Sequence, residues 1–346
     1  MDRDTGVAIS TGKPCYPTSG SAEVAVAATV SVIVPTRDRT AQLADALRSV
    51  ALQGIRGIEV VVINDGGADV AGVLPLGVRG MTVRLLSFPR SRGPAAARNA
   101  GLEIATGRFV AFLDDDDLYL PGHLERALAA LEHSGTDAVY ADCVLSGARA
   151  VPGEIPAGSP YRYDFPYDPD MLSVANFVPT TAVVARNPAH TAPASWFRFD
   201  PELPILVDWS LWLRLVHDRG WSFTRLSEPG VVYHREPADA SLAGGMAARV
   251  AWLSQYEDTY RTVIARWPVP PTGRVARFRR HALTMFAIAH EHLATGADLA
   301  PFAYEEALRV LHAGFTGRLE EDRVPIHLSE VLTTRTTTAP SAAAPR

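Results

Sequence analysis

Four consecutive aspartates, Asp114 to Asp117, follow the apolar run Arg108-Phe-Val-Ala-Phe-Leu113 and precede Leu118-Tyr-Leu-Pro121. Carboxylates on neighbouring residues repel one another, so ionising them together costs stability unless a metal or a cationic side chain neutralises them. The carboxyl end of a buried strand in an α/β sheet is also where ligands bind. The run reads as a place for a divalent metal, with a solvated acidic loop as the alternative.

The elements around it must bring other polar residues to the same edge. Thr29-Val-Ser-Val-Ile-Val34 is a β-branched run stopped by Pro35, and residues 41–52 follow as a helix with Leu43, Ala46, Leu47 and Val50 on one face. Ile58-Glu-Val-Val-Val-Ile63, ended by Asn64-Asp-Gly-Gly67, repeats the strand pattern, as do residues 81–86 and 108–113. A helix over 94–105, with Pro94 in its first turn, comes between the last two. Continuous apolar strands alternating with helices predict a largely parallel sheet covered on both faces, with Pro35, Asp65 and Asp114 on one edge.

Further along, the spacing predicts a helix over 122–133, a strand over 138–142, a Pro-, Gly- and Tyr-rich surface excursion over 146–170 and a helix over 208–218. Short strands over 221–226 and 230–233 follow. Helical spacing from Leu242 to Trp267 and from Arg274 to Leu311 predicts a helical C-terminal appendage, with Arg274, Arg277, Arg279 and Arg280 on a solvated face. The expected division is a disordered segment over 1–28, a catalytic domain over 29–240 with halves at 29–120 and 121–240, a helical region over 241–331, and a disordered tail over 332–346.

The 346 residues are 47% hydrophobic and carry a formal net charge of -5, which suits a large globular core and argues against a general nucleic-acid binder. Two distant cysteines, Cys15 and Cys143, offer no disulfide framework, and reducing cytoplasm is the expected setting. The start lacks the order of a signal peptide, and the apolar stretch from Val24 to Val34 is too short for a transmembrane segment.

Five pieces in order carry a resemblance: Val32-Ile-Val-Pro-Thr36, Val61-Val-Ile-Asn-Asp-Gly66, Gly93-Pro-Ala-Ala-Ala-Arg-Asn-Ala-Gly101, Phe112-Leu-Asp-Asp-Asp-Asp117, and Phe199-Asp-Pro-Glu-Leu203 with Val207-Asp-Trp-Ser-Leu-Trp-Leu-Arg214. Over residues 29 to about 235 the chain resembles the catalytic domain of a family 2 nucleotide-sugar glycosyltransferase. That resemblance implies a GT-A-type, Rossmann-like, mostly parallel α/β sheet with helices on both faces. It implies donor binding by Pro35, Thr36, Arg37, Asp65, Arg98, Asp114 and Asp115, with Asp65 accepting from base or ribose. Asp65 could instead be an Asp-Gly turn residue, and the segment from Thr36 to Arg39 could cap the next helix.

Counting back from Pro121, the family's metal motif falls on Asp114 and Asp116, with Asp115 left open, and His234 stands where related enzymes supply a further ligand. The cofactor implied is a divalent cation, manganese or magnesium. Asp208 opens a helix where the family's general base stands, although Val207 replaces the usual glutamate before it, and a helix N-cap is its competing role. Trp209 and Thr180 are the acceptor-contact candidates.

The implied function is metal-dependent, inverting transfer of a sugar from a nucleoside diphosphate, uridine before thymidine or guanosine, to a hydroxyl or amine of a small-molecule or glycan acceptor. Self-association as a homo-oligomer stays open. Two rivals are a sugar-phosphate nucleotidyltransferase, which would release pyrophosphate, and a non-catalytic nucleotide-sugar-binding protein.

Overall fold

Runs of valine and isoleucine suit a strand covered on both faces, and β1 (Val30–Thr36) is buried along its whole length. The computed structural model describes residues 29–156, 162–190, 196–235, 245–300 and 302–333. The expected disordered segment over 1–28, Cys15, residues 334–346 and the expected boundary at 240 lie outside the described residues. After β1, α1 (Thr40–Ala51) buries Leu43, Ala46, Leu47 and Val50, the face its spacing predicts. β2 (Ile58–Asn64) pairs in parallel with β1, setting Thr36 beside Asn64. β3 (Met81–Ser87) extends this pairing outward. α2 (Pro94–Ile104) then leads to β4 (Phe109–Phe112), parallel on the other side of β1 with Phe112 beside Ile33. Thr36, Asp65 and Asp114 therefore emerge at one sheet edge.

The remaining elements of this part are β5 (Leu118–Tyr119), α3 (His123–His133), β6 (Ala138–Ser146), β7 (Arg162–Tyr163), α4 (Pro169–Leu172), β8 (Val183–Arg186), α5 (Val207–Leu213) and β9 (Phe223–His234). The described strands form one nine-stranded sheet in the order β3-β2-β1-β4-β8-β6-β9-β5, with β7 on β6. β8 enters antiparallel between β4 and β6, whereas β6 and β9 run parallel. The two short strands expected over 221–233 are one strand, β9, whose register against β6 shifts around Asp142 and Pro229. Proline cannot donate to the ladder, and a bulge there lets pairing resume as far as Ser146 and His234.

The long helical pattern at the C-terminal end divides into α6 (Gly245–Arg266), α7 (Arg274–Ala294), α8 (Ala303–Phe315) and α9 (Val324–Thr333). Gly296, with φ 83°, stops α7 in the left-handed region that favours glycine. α9 carries buried Leu332 and then Thr333 into the stretch expected to be a tail. Among the described residues no helix is long and apolar enough to cross a membrane.

These helices are tied to one segment. Arg279, expected on a solvated face, is 6% exposed and donates to the Ser173 carbonyl at 2.8 Å. The Tyr260 hydroxyl donates to the Val174 carbonyl at 2.9 Å, and the Tyr304 hydroxyl to the Asn176 carbonyl at 3.4 Å. Arg235, at the end of β9, pairs with the nearly buried Glu305 of α8 at 2.8 Å.

α2 sits directly on β1 at Gly101, where a Cβ would fall 2.4 Å from Ile33 Cγ2. Alanine at an unhindered helical glycine adds roughly 0.5–1 kcal/mol of stability, but forcing a methyl into this contact costs about 1–3 kcal/mol. Gly101→Ala is therefore expected to lower stability in a urea titration, and an unchanged or raised midpoint would show that α2 can lift from β1 freely.

Candidate functional site

The four aspartates do not share one environment. Asp115 and Asp117 turn inward, at 6% and 1% exposure, whereas the side chains of Asp114 and Asp116 are 29% and 38% exposed. Asp115 accepts from the Thr36 hydroxyl at 2.7 Å and from Arg39 at 3.3 Å. Burial pushes its carboxyl up to about 6, against the Thr36 bond and with help from Asp116. Asp117 accepts the His234 backbone amide at 2.9 Å, and burial, reinforced by Asp116 and Asp114, holds its carboxyl well above the ordinary range. The outward pair meets arginines. Asp114 is bonded by Arg98, and Asp116 pairs with Arg39 at 2.5 Å.

One open cleft of about 510 Å³ lies at this edge, and Pro35, Thr36, Arg37, Asp65, Arg98, Asp114 and Asp115 all line it, together with Asp116. Every donor-side residue expected from the sequence is thus in one place. Asp65 has a second employment. Its carboxylate accepts from the Ser91 hydroxyl and the Arg92 amide, each at 2.7 Å, and from the Gly93 amide at 3.0 Å. The adjoining turn needs Gly66, at φ 75°, because a Cβ would lie 2.4 Å from the Arg90–Ser91 backbone. Both turn and anchor roles are therefore real, and Oδ1, with one bond, keeps capacity for a donor from a ligand.

Arg98 is the link across the site. Burial would discourage its charge, but Asp114 first and Asp208 after it outweigh that and raise its pKa. Its Nε is buried without an acceptor. Beyond it, Asp208 stands at the start of α5, where Leu206 adopts φ 56°. Asp208 Oδ2 accepts from Asn176 at 3.1 Å and Thr180 at 3.0 Å, while Oδ1 accepts only the Trp209 amide, at 2.8 Å. Burial raises its pKa, and the Trp209 amide, Arg98, Thr180 and Asn176 each pull it down in part.

Three expectations need correction. Trp209 makes no contact open to an acceptor: it is fully buried, stacked on Tyr260 at 5.2 Å, with Nε1 donating to the Leu172 carbonyl at 2.7 Å. Thr180 is 7% exposed and spends its hydroxyl on Asp208, so it orients that carboxylate. In His234, Nδ1 bonds the Asp116 carbonyl and Nε2 accepts the Ala150 amide at 3.0 Å. A ring with both nitrogens so engaged has no lone pair for a metal.

Among the described residues no group of three His, Cys, Asp or Glu side chains is gathered as a metal cage. The donor set does fit a hard cation shared with a ligand, because Asp114 and Asp116 are half-exposed carboxylates facing an open cleft, and such a cation completes its shell with phosphate oxygens. Arg39, Ser91, Gly93, Pro94, Ala97 and Asn176 also belong to the site or its support. Gly93, Pro94 and Ala97 have a local signal in the Gly93–Gly101 stretch, and Asn176 has one in Asn176-Phe-Val-Pro-Thr-Thr181.

Comparison with known proteins agrees with this geometry. A family model described as Glycosyl transferase family 2 matches residues 31–189. YwdF of Bacillus subtilis, an uncharacterized glycosyltransferase, is 27% identical over 227 residues, spanning 64% of this chain and 79% of that protein. The pre-mycofactocin glycosyltransferase of Mycobacterium tuberculosis is 32% identical over 46% of this chain and 34% of its own length. WfgD of Escherichia coli, named as a UDP-Glc:alpha-D-GlcNAc-diphosphoundecaprenol beta-1,3-glucosyltransferase, is 27% identical over 39% of this chain and 53% of its own. Matches to four further relatives cover between 16% and 30% of those proteins. Among solved structures, a mannosyltransferase from Pyrobaculum calidifontis aligns over 89% of this chain and 88% of that one, at 18% identity and a TM-score of 0.49. The family match over residues 31–189, together with relatives that are glycosyltransferases, supports a glycosyl transfer enzyme of the family 2 type.

Proposed function

We propose that this enzyme is a divalent-metal-dependent, inverting glycosyltransferase that moves a sugar from a nucleoside diphosphate to a hydroxyl or amine, with Asp208 as general base. The observation that carries this reading is the single cleft lined by all seven donor-side residues, with Asp208 just beyond Arg98. A uridine diphosphate sugar is the first donor to test, since WfgD is named for one.

In this mechanism Asp65 and the end of β1 receive the nucleoside, and Arg98 attracts the diphosphate. Asp114 and Asp116 would hold the manganese or magnesium ion, which when bound neutralises charge on the leaving nucleoside diphosphate. Asp208 Oδ1 takes the acceptor proton as the acceptor atom forms its bond to the anomeric carbon. The bond from that carbon to the diphosphate breaks on the opposite side, which inverts the centre. Asn176 and Thr180, both on Oδ2, keep Oδ1 as the working oxygen.

Asp208→Asn is expected to lower kcat by about 10²–10⁴-fold while nucleotide affinity measured by calorimetry stays close to wild type. Normal turnover in that variant would remove Asp208 from the mechanism. The base works ionised and burial raises its pKa, so kcat/KM should fall on acidification at a higher pH than for an ordinary aspartate. Thr180→Val removes a bond to the ionised form and should move that acid limb higher still; a limb that stays put would leave Thr180 a packing residue.

Calorimetry of uridine, thymidine and guanosine diphosphates, with manganese and then with excess chelator, tests the donor side. One nucleotide should bind at least about tenfold more tightly with metal, a gain of ~1.4 kcal/mol, and Asp114→Asn or Asp116→Asn should abolish the gain. Absence of binding in either condition would overturn the assignment of the cleft.

A further inference from the structure

Arg39 does not cap α1, although it is the residue before the helix; its side chain makes no bond to the first helical amides. The guanidinium instead reaches the end of β4 and pairs with Asp116 at 2.5 Å and Asp115 at 3.3 Å. Arg98 does the same for Asp114 from α2. The two half-exposed carboxylates assigned above to a divalent cation are thus each held by an arginine. A guanidinium and a hard cation compete for the same oxygen lone pairs and repel one another, so both cannot hold Asp116 at full strength.

Arg39 can yield its place. Its side chain is 44% exposed, and it lines the cleft beside Arg98, whose Nε has no acceptor. The planar fork of arginine suits diphosphate oxygens as well as it suits a carboxylate. Resting on the reading of the cleft as a nucleoside diphosphate site, we infer that Arg39 is a donor-binding residue. It neutralises Asp116 and Asp115 in the free enzyme and passes to the diphosphate when a divalent cation takes Asp116. No covalent bond changes in this exchange; the cation replaces the guanidinium on the carboxylate, and the guanidinium gains the phosphate oxygens.

The exchange makes metal and nucleotide assist one another, because each draws Arg39 away from, or leaves it free for, what the other needs. The test is calorimetry on the full chain with manganese alone, and with uridine diphosphate (or whichever of the thymidine and guanosine diphosphates binds) at low and saturating manganese. Arg39→Gln should bind manganese alone about threefold to tenfold more tightly, having lost the competitor. It should bind the nucleotide at saturating manganese about tenfold or more weakly, having lost a charge-assisted bond. The factor by which nucleotide tightens manganese should shrink accordingly. Arg39→Lys, which keeps the charge without the fork, should recover the manganese affinity but only part of the nucleotide affinity.

Wild-type nucleotide affinity in Arg39→Gln at saturating manganese, or an unchanged mutual enhancement, overturns the inference while leaving the donor site standing. A wild-type protein that binds neither manganese nor any of the three nucleotides overturns the site and the inference together.

Discussion

Crowding of like charge at the end of β4 is the constraint around which this edge of the molecule is arranged. Two carboxylates about 5 Å apart repel by roughly 3 kcal/mol at an effective dielectric near 20, and a domain has only about 5–15 kcal/mol of net stability. Four such groups in sequence would therefore consume much of it if all faced one another ionised. The chain divides them. Asp115 and Asp117 go inside, where burial raises their pKa values and so disfavours their ionisation, and Thr36 and the His234 amide receive them. Asp114 and Asp116 go outside, each against an arginine. Those arginines stand just before α1 and within α2, and the close seat of α2 on β1, Gly101 against Ile33, is part of what delivers Arg98. Charge balance at the site and helix packing on the sheet are thus one requirement.

The acceptor half rests on a similar double use of one segment. Residues 173–176 offer carbonyls to Arg279, Tyr260 and Tyr304 of the C-terminal helices, while the Asn176 side chain donates to Asp208. If Asp208 is the base proposed above, it gains from rigid neighbours, since preorganised groups need no rearrangement at the moment of reaction. The helices supply that rigidity from behind. Trp209, packed on Tyr260, belongs to the same support rather than to the cleft surface.

What the sequence made legible follows from what is local. β1, β2 and β4 were readable because parallel strands covered on both faces leave unbroken apolar runs, and the donor-side residues because they directly follow those strands or start α2. β8 was missed because four residues, Val183–Arg186, buried between two antiparallel neighbours, give too short a run to distinguish from core loop. β9 looked like two strands because Pro229 marks a break that β6 absorbs as a register shift. Arg39 carried no signal, since the partners that define it are 76 and 77 residues away. The same holds for His234: its Nε2 is taken by the amide of Ala150, 84 residues distant, and no local pattern encodes that.

The shared guanidinium of Arg98 joins the two halves of the site chemically as well as spatially. It favours the ionised form of Asp208, and Asp114 and Asp208 in turn favour its charge. Burial pushes Asp208 toward a stronger base, and Arg98 restrains that push. In the proposed mechanism, a diphosphate arriving at Arg98 would supply a competing anion and weaken the restraint without any movement of Asp208. Asp208 would then be at its most basic when the donor is present and less so when the cleft is empty. A half-buried carboxylate whose cationic neighbour lines the ligand's cleft would sense that ligand through charge alone.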